Sequence, residues 1–348
     1  MKKSLLFVLF LQIVAFSAIG QVSNLSIDDD YQHYRDSLKT TEYPWHLPIM
    51  GAKVRKMGFD IPYPNGFMFS YGHSSQDIFI NNLEVGFHPD QMVGVDELAR
   101  FQSIQSNVNA FVLKYDFWLF PFLNFFGLAG HINSTTNVHL ALPFDLKFQT
   151  NNQGNTLGWG MVAAGGIGPL VVSGNLVNTW TWVPSLDRPS NTMVVDGRIG
   201  YMMRFPHKPQ RNLVFLVGVE YMRLNPQSEG DVNLEKLLGI SPQMKQDAGQ
   251  QLDQWYDGLS NVEQGLVEGV YNGLSGWLNS SDPITMDYRF RKGLHHPMSM
   301  TAGVNFQYSH RWSYNLMSTF LGSRKQVVFS LNYRFGIKGN NVMSGFTF

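Results

Sequence analysis

The sequence contains no cysteine, and charged residues make up only 15% of the chain. Without cysteine, the protein can form neither disulfides nor a thiol-linked lipid anchor, so its folding energy must come from burial and backbone pairing. Beyond the N-terminal segment, it also lacks an uninterrupted apolar run of about 20 residues, the length that a transmembrane helix requires. If this chain crosses a membrane, it must therefore cross as a β-barrel.

Positive and negative charges balance, with 26 Lys and Arg against 26 Asp and Glu, and no basic patch stands out. Nucleic-acid binding therefore has no electrostatic footprint, and we exclude nucleic acid as a partner. Aromatic residues make up 14% of the chain, and there are 33 glycines. That mixture is typical of lipid-facing aromatic girdles and tightly curved strands.

The first residues follow the order of a secretory signal peptide. Lys2 and Lys3 precede an apolar stretch from Leu5 to Phe16, and small residues stand at Ala18 and Gly20. The apolar stretch is too short to span a bilayer as a helix, which argues against a retained anchor. We expect cleavage of residues 1–20 and export of the remaining chain.

From about residue 67 onward, apolar and polar residues alternate in stretches of roughly ten, the pattern of strands with one face in lipid and one in a lumen. The clearest predicted strands are Val108–Trp118, Thr192–Phe205, Asn212–Leu224, Ser299–Ser309 and Lys325–Ile337. Weaker candidates are Gly51–Phe59, Gly66–His73, Asp77–Phe87, Leu123–Asn133, Leu157–Gly168, Leu170–Trp182 and Trp312–Phe320. The sequence thus predicts an all-β fold, an antiparallel transmembrane up-and-down barrel of about 12 strands, within a range of about 10 to 14.

Four parts are expected along the chain: a signal peptide (1–20), a mostly irregular lead-in with a candidate first strand (21–65), the barrel (66–348) and a helical insertion within it (226–297). Short links are predicted at Pro121–Phe122, Gly168–Pro169, Pro206–Gln210 and Ser309–Arg311. Longer ones run over His88–Gln105, Asn133–Asn155 and Asn225–Pro297. Because bacterial barrels keep their long loops outside, we place the longer set at the cell surface.

Between Leu234 and Leu278 the two-residue period gives way to a helical one, which predicts an amphipathic insertion. Its apolar stripe comprises Leu252, Trp255, Leu259, Val262, Leu266, Val270 and Leu274. One interpretation is a lid or plug that controls access to the lumen. The other, which the stripe alone favours, is a helical pair packed on the barrel rim or on the membrane interface without gating.

Charges of both signs fall on the predicted lumen face of the strands. They are Lys114, Asp116, Asp196, Arg198, Arg204, Glu220 and Arg334. Such groups can pair across the wall and support the barrel, or form separate patches that select a passing solute. Pairing is the favoured reading, because polar interior residues are usual in barrels.

Histidine and serine residues that are close in the sequence give only weak evidence for catalysis or metal binding. His295 and His296 are adjacent, so on a strand they face apart and do not form a metal site. Ser309 with His310, or His131 with Ser134, would be the starting point for a hydrolase acting on lipid. No nucleophile elbow, phosphate loop or H-E-x-x-H pair is present. We therefore predict no catalytic residues, no metal and no cofactor.

Aromatic residues recur at alternate positions near the C-terminus, in Tyr333-Arg334-Phe335 and Phe346-Thr347-Phe348. In this the chain resembles Gram-negative outer-membrane β-barrel proteins, whose last strand ends in this way. The resemblance implies location in the outer membrane of a Gram-negative bacterium and recognition by the barrel-assembly machinery. It also implies contact with outer-membrane lipid and lipopolysaccharide. It covers about residues 67–348 at the level of architecture and identifies no functional family.

Three functions remain open on the sequence. The first is a passive or gated channel for a small or moderately apolar solute, with the helical insertion shaping its outer mouth. The second is a closed barrel with a structural or surface-interaction role. The third is a lipid-modifying hydrolase. The shape of the lumen distinguishes the first two, because an open interior favours transport and a filled one favours a structural role.

Overall fold

The computed structural model describes residues 29–87, 92–96, 100–142, 146–184, 186, 188–205, 208–225, 227–233, 242–279 and 285–338. The predicted signal peptide and the aromatic pair at Phe346 and Phe348 lie outside these residues. Within them the chain forms a closed barrel, a smaller sheet on one rim, a helical pair and a helical N-terminal segment.

The elements have the following bounds. The strands are β1 (Asn65–Gly86), β2 (Val93–Gly94), β3 (Arg100–Phe120), β4 (Leu123–Leu142), β5 (Leu146–Ile167), β6 (Leu170–Trp182), β7 (Ser190–Phe205), β8 (Lys208–Leu224), β9 (Gln227–Asn233), β10 (Thr285–Leu294), β11 (Met298–Gln307), β12 (Trp312–Phe320) and β13 (Arg324–Phe335). The helices are α1 (Asp29–Thr40), α2 (Gly51–Lys56), α3 (Pro242–Asp257) and α4 (Asn261–Leu278).

The barrel wall consists of ten antiparallel strands in the order β1, β3, β4, β5, β6, β7, β8, β11, β12 and β13. It closes because β13 pairs with β1, from Asn65 opposite Phe335 to Gln76 opposite Arg324. A closed wall has no edge strand, so backbone groups are satisfied within it, as a hydrocarbon environment demands. The aromatic pair Tyr333 and Phe335 lies on this closing strand.

The predicted barrel is confirmed, and ten strands lie within the predicted range. Two differences account for the higher count of 12. Gly51–Phe59 is not a strand: α2 occupies Gly51–Lys56, and Gly51 and Val54 are buried at helical spacing. Gly66–His73 and Asp77–Phe87 are one continuous strand, β1, because the polar residues between them remain paired with both neighbours.

The outer face of the wall is apolar, as the alternation predicts. Large side chains that point outward and are exposed include Phe69, Phe111, Leu157, Trp159, Val172, Ile199, Val217, Leu316 and Phe329. A soluble protein rarely exposes a continuous apolar belt of this kind. On a closed barrel, such a belt is the lipid-facing surface.

The wall is uneven in height. β1, β3, β4 and β5 have 20 to 22 residues, whereas β11, β12 and β13 have 9 to 12. About ten tilted residues suffice to cross the hydrocarbon, so the long strands continue beyond it. The predicted long loop at Asn133–Asn155 is for this reason mostly strand, and residues 100–105 of the predicted loop at His88–Gln105 belong to β3. We call this end the rim end, and the end with the short links at 121–122 and 168–169 the turn end.

A small sheet, the rim sheet, continues the wall above β13. It consists of β1 residues 78–86 with β2, β9 and β10, and β10 replaces β13 as the partner of β1 from Ile78 onward. The exposed side chains of Arg289 and Arg291 point away from the lumen, and Arg289 pairs with Glu84 at 3.1 Å. These outward charges place the rim sheet outside the hydrocarbon.

The helical pair α3–α4 lies against the rim end, which confirms the prediction of helices in one long loop. Its core is shared with the rim sheet through Leu83, Val85 and Val95. Among the described residues, no helix is long and apolar enough to cross a bilayer. The N-terminal segment (residues 29–64), predicted to be mostly irregular, contains α1 and α2 and contacts the turn end.

Candidate functional site

The barrel encloses a cavity of about 1430 Å³ in the part of the lumen nearer the rim. Eight-stranded barrels are just wide enough to be filled by their own side chains, so a ten-stranded wall leaves additional space. Most of the lining is apolar, with serine, threonine and asparagine between the apolar groups. The apolar part includes Ile78, Ile80, Ile104, Val108, Val112, Ile132, Val177, Val194, Met222, Met317 and Val328.

This mostly apolar lining differs from the polar inward face that the alternation of apolar and polar residues predicts. On β3, for example, Val108, Ala110 and Val112 share the inward face with Lys114. The alternation of apolar and polar residues identifies the lipid-facing side of a strand only when the other side is polar. It therefore does not detect strands that are apolar on both the lipid-facing and the inward side. Val328, which breaks the alternation of β13, was the signal: it lines the cavity.

The helical pair forms the roof of the cavity. Leu252 and Val267 are fully buried between the helices and the rim sheet, together with Trp277. Trp255, Val270 and Leu274 belong to the cavity lining, and Leu259 packs partly buried against the same core. Five of the seven predicted stripe residues thus face the core or the cavity.

The other two stripe residues, Val262 and Leu266, are exposed to 75% and 61%, which corrects the prediction of one continuous stripe. The helical phase is interrupted after Asp257, where α3 ends. Ser260 then caps α4 through a capping box with Glu263. Because a new helix starts there, the apolar face of α4 is set by Val267, Val270 and Leu274 instead.

The floor of the cavity is a charged cluster. Lys114 and Ser330 line the cavity, but the next inward residues toward the turn end, Asp116 and Asn332, do not. The Asp116 carboxylate accepts hydrogen bonds from Arg334 Nη2 at 2.9 Å and from Asn124 Nδ2 at 2.8 Å, and lies 3.6 Å from Lys114 Nζ. The cavity ends at this level, where Asp116 is buried and its carboxylate contacts Arg334 and Asn124.

The other predicted lumen charges also lie inside the wall. Asp196 pairs with Arg198 at 2.9 Å, and Glu220 pairs with Arg324 at 2.7 Å. Arg204 lies half-buried on the inward face of β7, on the turn side of the cavity. Positive and negative groups are interleaved rather than separated into patches, so these charges support the wall instead of forming a selective field.

The N-terminal segment contacts the floor from the turn end. Arg334 Nε donates to the Tyr63 carbonyl at 2.8 Å, and the backbone N–H of Trp118 donates to Pro64. The hydroxyl of Tyr34 donates to Asp60 at 2.7 Å, and the ring of His310 lies 3.1 Å from the same carboxylate. Asp60 thus joins the segment to the β11–β12 turn.

We expect this attachment to weaken as pH rises. The hydrogen bond to Asp60 and its negative charge raise the pKa of His310 above its ordinary value of 6.5, although burial acts in the opposite direction. A raised pKa means that the contact is fully stabilising below about pH 6.5 and is lost as pH rises through the raised value. Limited proteolysis of the N-terminal segment should therefore be faster at about pH 9 than at about pH 6. His310→Gln should remove most of that difference, and an unchanged pH response in this variant would contradict the assignment.

The serine and histidine side chains considered for catalysis are not brought together in the structure. Ser309 Oγ accepts from the backbone N–H groups of Arg311 and Trp312, while His310 contacts the N-terminal segment. His131 faces outward and contacts Asn155, whereas Ser134 lines the cavity on the opposite face of β4. Within the part of the chain that the structure describes, no three potential ligands cluster as a metal site.

One charged group of the lining was not singled out by the sequence. Lys292, on β10, projects into the cavity from the rim sheet. It forms no ion pair or hydrogen bond with any described residue, and burial lowers the pKa of its ammonium group. The sequence could not identify this lysine, because whether it has an ion-pair partner depends on which residues line the cavity in the folded barrel.

A closed barrel with an apolar belt, a rim outside the hydrocarbon and a capped lumen defines a transmembrane barrel of the outer-membrane type. Its fold is similar to that of the outer membrane protein OprG from Pseudomonas aeruginosa, with 9% identity over 79% of this chain and 100% of that one (TM-score 0.39). It is similar also to the β domain of the Bordetella autotransporter BrkA, with 10% identity over 79% and 100% (TM-score 0.32). A third is the toluene transporter TodX from Pseudomonas putida, with 8% identity over 90% and 97% (TM-score 0.27).

These likenesses concern the barrel fold alone. No protein-family model matches the chain, and no curated protein does. Function must therefore be argued from the cavity, the helical pair above it and the charged cluster below it.

Proposed function

We propose that the protein is a gated channel for small apolar solutes in the outer membrane, with the helical pair as its gate. The observation that carries this proposal is the mostly apolar cavity of about 1430 Å³ inside the barrel. Cavities that hold small ligands are usually mostly apolar, with a few polar groups that orient the ligand. The lumen meets that description.

The cavity favours a channel over a closed structural barrel. In a purely structural barrel, interior side chains interdigitate across the whole lumen and leave little void. Here they do so only toward the turn end, around Asp116 and Arg334. A void of this size removes packing contacts and so weakens the barrel, which argues that it is retained for an occupant.

The roof is built in a way that permits opening. The helical pair contacts the wall through apolar side chains such as Val270 and Leu274, while the strands beneath it are held by their own ladder. Moving the pair therefore leaves the barrel paired. An apolar solute that enters would cover the lining exposed by that movement, and this differential contact favours the open state.

The absence of cysteine allows a direct test of the gate. A Cβ at Gly273 on α4 would touch the ring of Phe87 at the end of β1, so the two positions are close. Gly273→Cys with Phe87→Cys should form a disulfide that fixes the helical pair to the end of the rim sheet.

The cross-link is tested by solute uptake. In cells of a Gram-negative host that lacks the protein, the unmodified chain should raise the initial uptake of radiolabelled naphthalene several-fold. The oxidised double variant should fall to the host's own rate, and reduction should restore uptake.

Each single-cysteine variant serves as the matched control and should behave like the unmodified protein in both redox conditions. Equal uptake by expressing and non-expressing cells would contradict the channel and favour the closed structural barrel. Equal uptake by the oxidised and reduced double variant would show instead that solutes do not pass beneath the helical pair.

A further inference from the structure

Lys292 differs from the other cations of the cavity lining. Lys114 lies beside Asp116, Arg198 pairs with Asp196, and Arg324 pairs with Glu220. Lys292 has no partner of this kind among the described residues. The one further carboxylate of the lining, Asp231 on β9, is exposed.

The surroundings of Lys292 are apolar on the cavity side. Ile80 faces it across the β1–β10 pair, and Ile78 and Phe290 are the next inward residues along the two strands. An ammonium group in apolar surroundings loses hydration, and no carboxylate of the described residues replaces that hydration at Lys292. Nothing in the packing of the wall requires a charge at this position, because Ile80 and Phe290 occupy equivalent inward positions.

From this geometry we infer that Lys292 binds the head group of an amphipathic anion whose apolar tail lies in the cavity. The ligand class is a monocarboxylate with an aliphatic or aromatic tail. The carboxylate would accept a charge-assisted hydrogen bond from the ammonium group, which is stronger than a bond between neutral groups. The tail would cover the isoleucine and valine side chains below. This inference rests on the proposed function, since the cavity must admit solutes.

The position of Lys292 gives the binding a direction. β10 lies in the rim sheet, so the head group would be held close beneath the roof and the tail would point toward the floor. Lys114 stands at the opposite end of the cavity beside Asp116 and is already paired. The site is therefore asymmetric, because Lys292, at the rim end, has no ion-pair partner within the described part of the chain, whereas Lys114 has one.

The test compares two probes of equal length, octanoate and octanol, by equilibrium dialysis against the protein in lipid nanodiscs, with empty nanodiscs as background. The unmodified protein should bind octanoate about tenfold more tightly than octanol, because about 1.4 kcal/mol of interaction with a charge corresponds to that ratio. Lys292→Met should lose this preference while its affinity for octanol changes less than about twofold. Lys292→Arg should keep the preference, since it keeps the charge.

Lys325→Met is the matched control, because Lys325 is an exposed lysine on the opposite face of β13 from the cavity lining, and it should leave both affinities unchanged. Lys292→Gln provides a second neutral variant if the methionine variant fails to fold. Equal binding of octanoate and octanol by the unmodified protein would overturn the anion site and leave the apolar channel standing. Binding of neither probe would overturn both proposals.

Discussion

Replacement of Asp116 with alanine is expected to lower the free energy of unfolding of the barrel by about 3 kcal/mol, because removal of one partner from a buried ion pair leaves the other uncompensated. Asp116 is buried, and its carboxylate contacts both Arg334 and Asn124 within 3 Å. Without it, two cations remain in the floor. Reversible urea unfolding in thin phospholipid vesicles measures the change.

Two further variants determine whether the pairing is responsible. Asp116→Ala combined with Arg334→Met should recover part of the loss, since an apolar replacement of the whole pair removes the uncompensated charge. Asp36→Ala on α1, which breaks an exposed pair with Lys39, should change the same free energy by less than about 1 kcal/mol. If the Asp116 variant were as mild as the Asp36 variant, the floor would not depend on this cluster.

Replacement of Leu252 with alanine is expected to destabilise the docked state of the helical pair by about 3 kcal/mol, because Leu252 is fully buried and its loss leaves a cavity in the shared core. Hydrogen exchange of the α3 and α4 amides would then be faster by on the order of 100-fold, since 1.4 kcal/mol corresponds to a factor of ten. The amides of the barrel strands should be unaffected, because their ladder does not include the helices.

Leu266 provides the matched control on the neighbouring helix. It is 61% exposed, so the same leucine-to-alanine change should alter exchange by less than a few-fold. If Leu252→Ala accelerated the barrel amides as much as the helical ones, the helical pair and the barrel would unfold together. The helical pair would then be part of the structural core and not a gate.

The sequence was most informative where one face of a strand meets lipid. In β7, β8, β11 and β13, alternation predicted both the strand and its outward face, because hydrocarbon accepts only one kind of side chain. It was misleading at Ser74–Gln76, where polar residues occupy both faces of β1 and suggested a break. There the strand leaves the hydrocarbon and continues into the rim sheet, so its outward face no longer has to be apolar.

The cavity could be predicted only in part. The inward direction of Lys114, Asp116 and Glu220 follows from their position opposite an apolar face, and the structure places all three inside. Their partners do not follow, because Glu220 and Arg324 are 104 residues apart and meet only once the wall has closed. The apolar interior was missed for a related reason: an inward valine and an outward valine give the same local pattern.

The helical insertion shows the same division between local and long-range information. The period of three to four residues between its apolar side chains predicted the helices. The capping box at Ser260 and Glu263 is a local sequence pattern that is typical of a helix N-terminus. Which face of α4 would be buried depends on the position of Leu83 and Val85 in the rim sheet. That position is set by β-ladder pairing far away in the chain.

The account depends above all on the cavity being a place that an apolar molecule occupies. Crystals of the protein grown with 1-bromonaphthalene would test this directly, because bromine gives an anomalous signal that locates the bound molecule. We predict a bromine peak inside the barrel, between Trp255 in the roof and Lys114 in the floor. Bromine found only along the outer belt, near Phe111 and Phe329, with none in the lumen, would contradict the account.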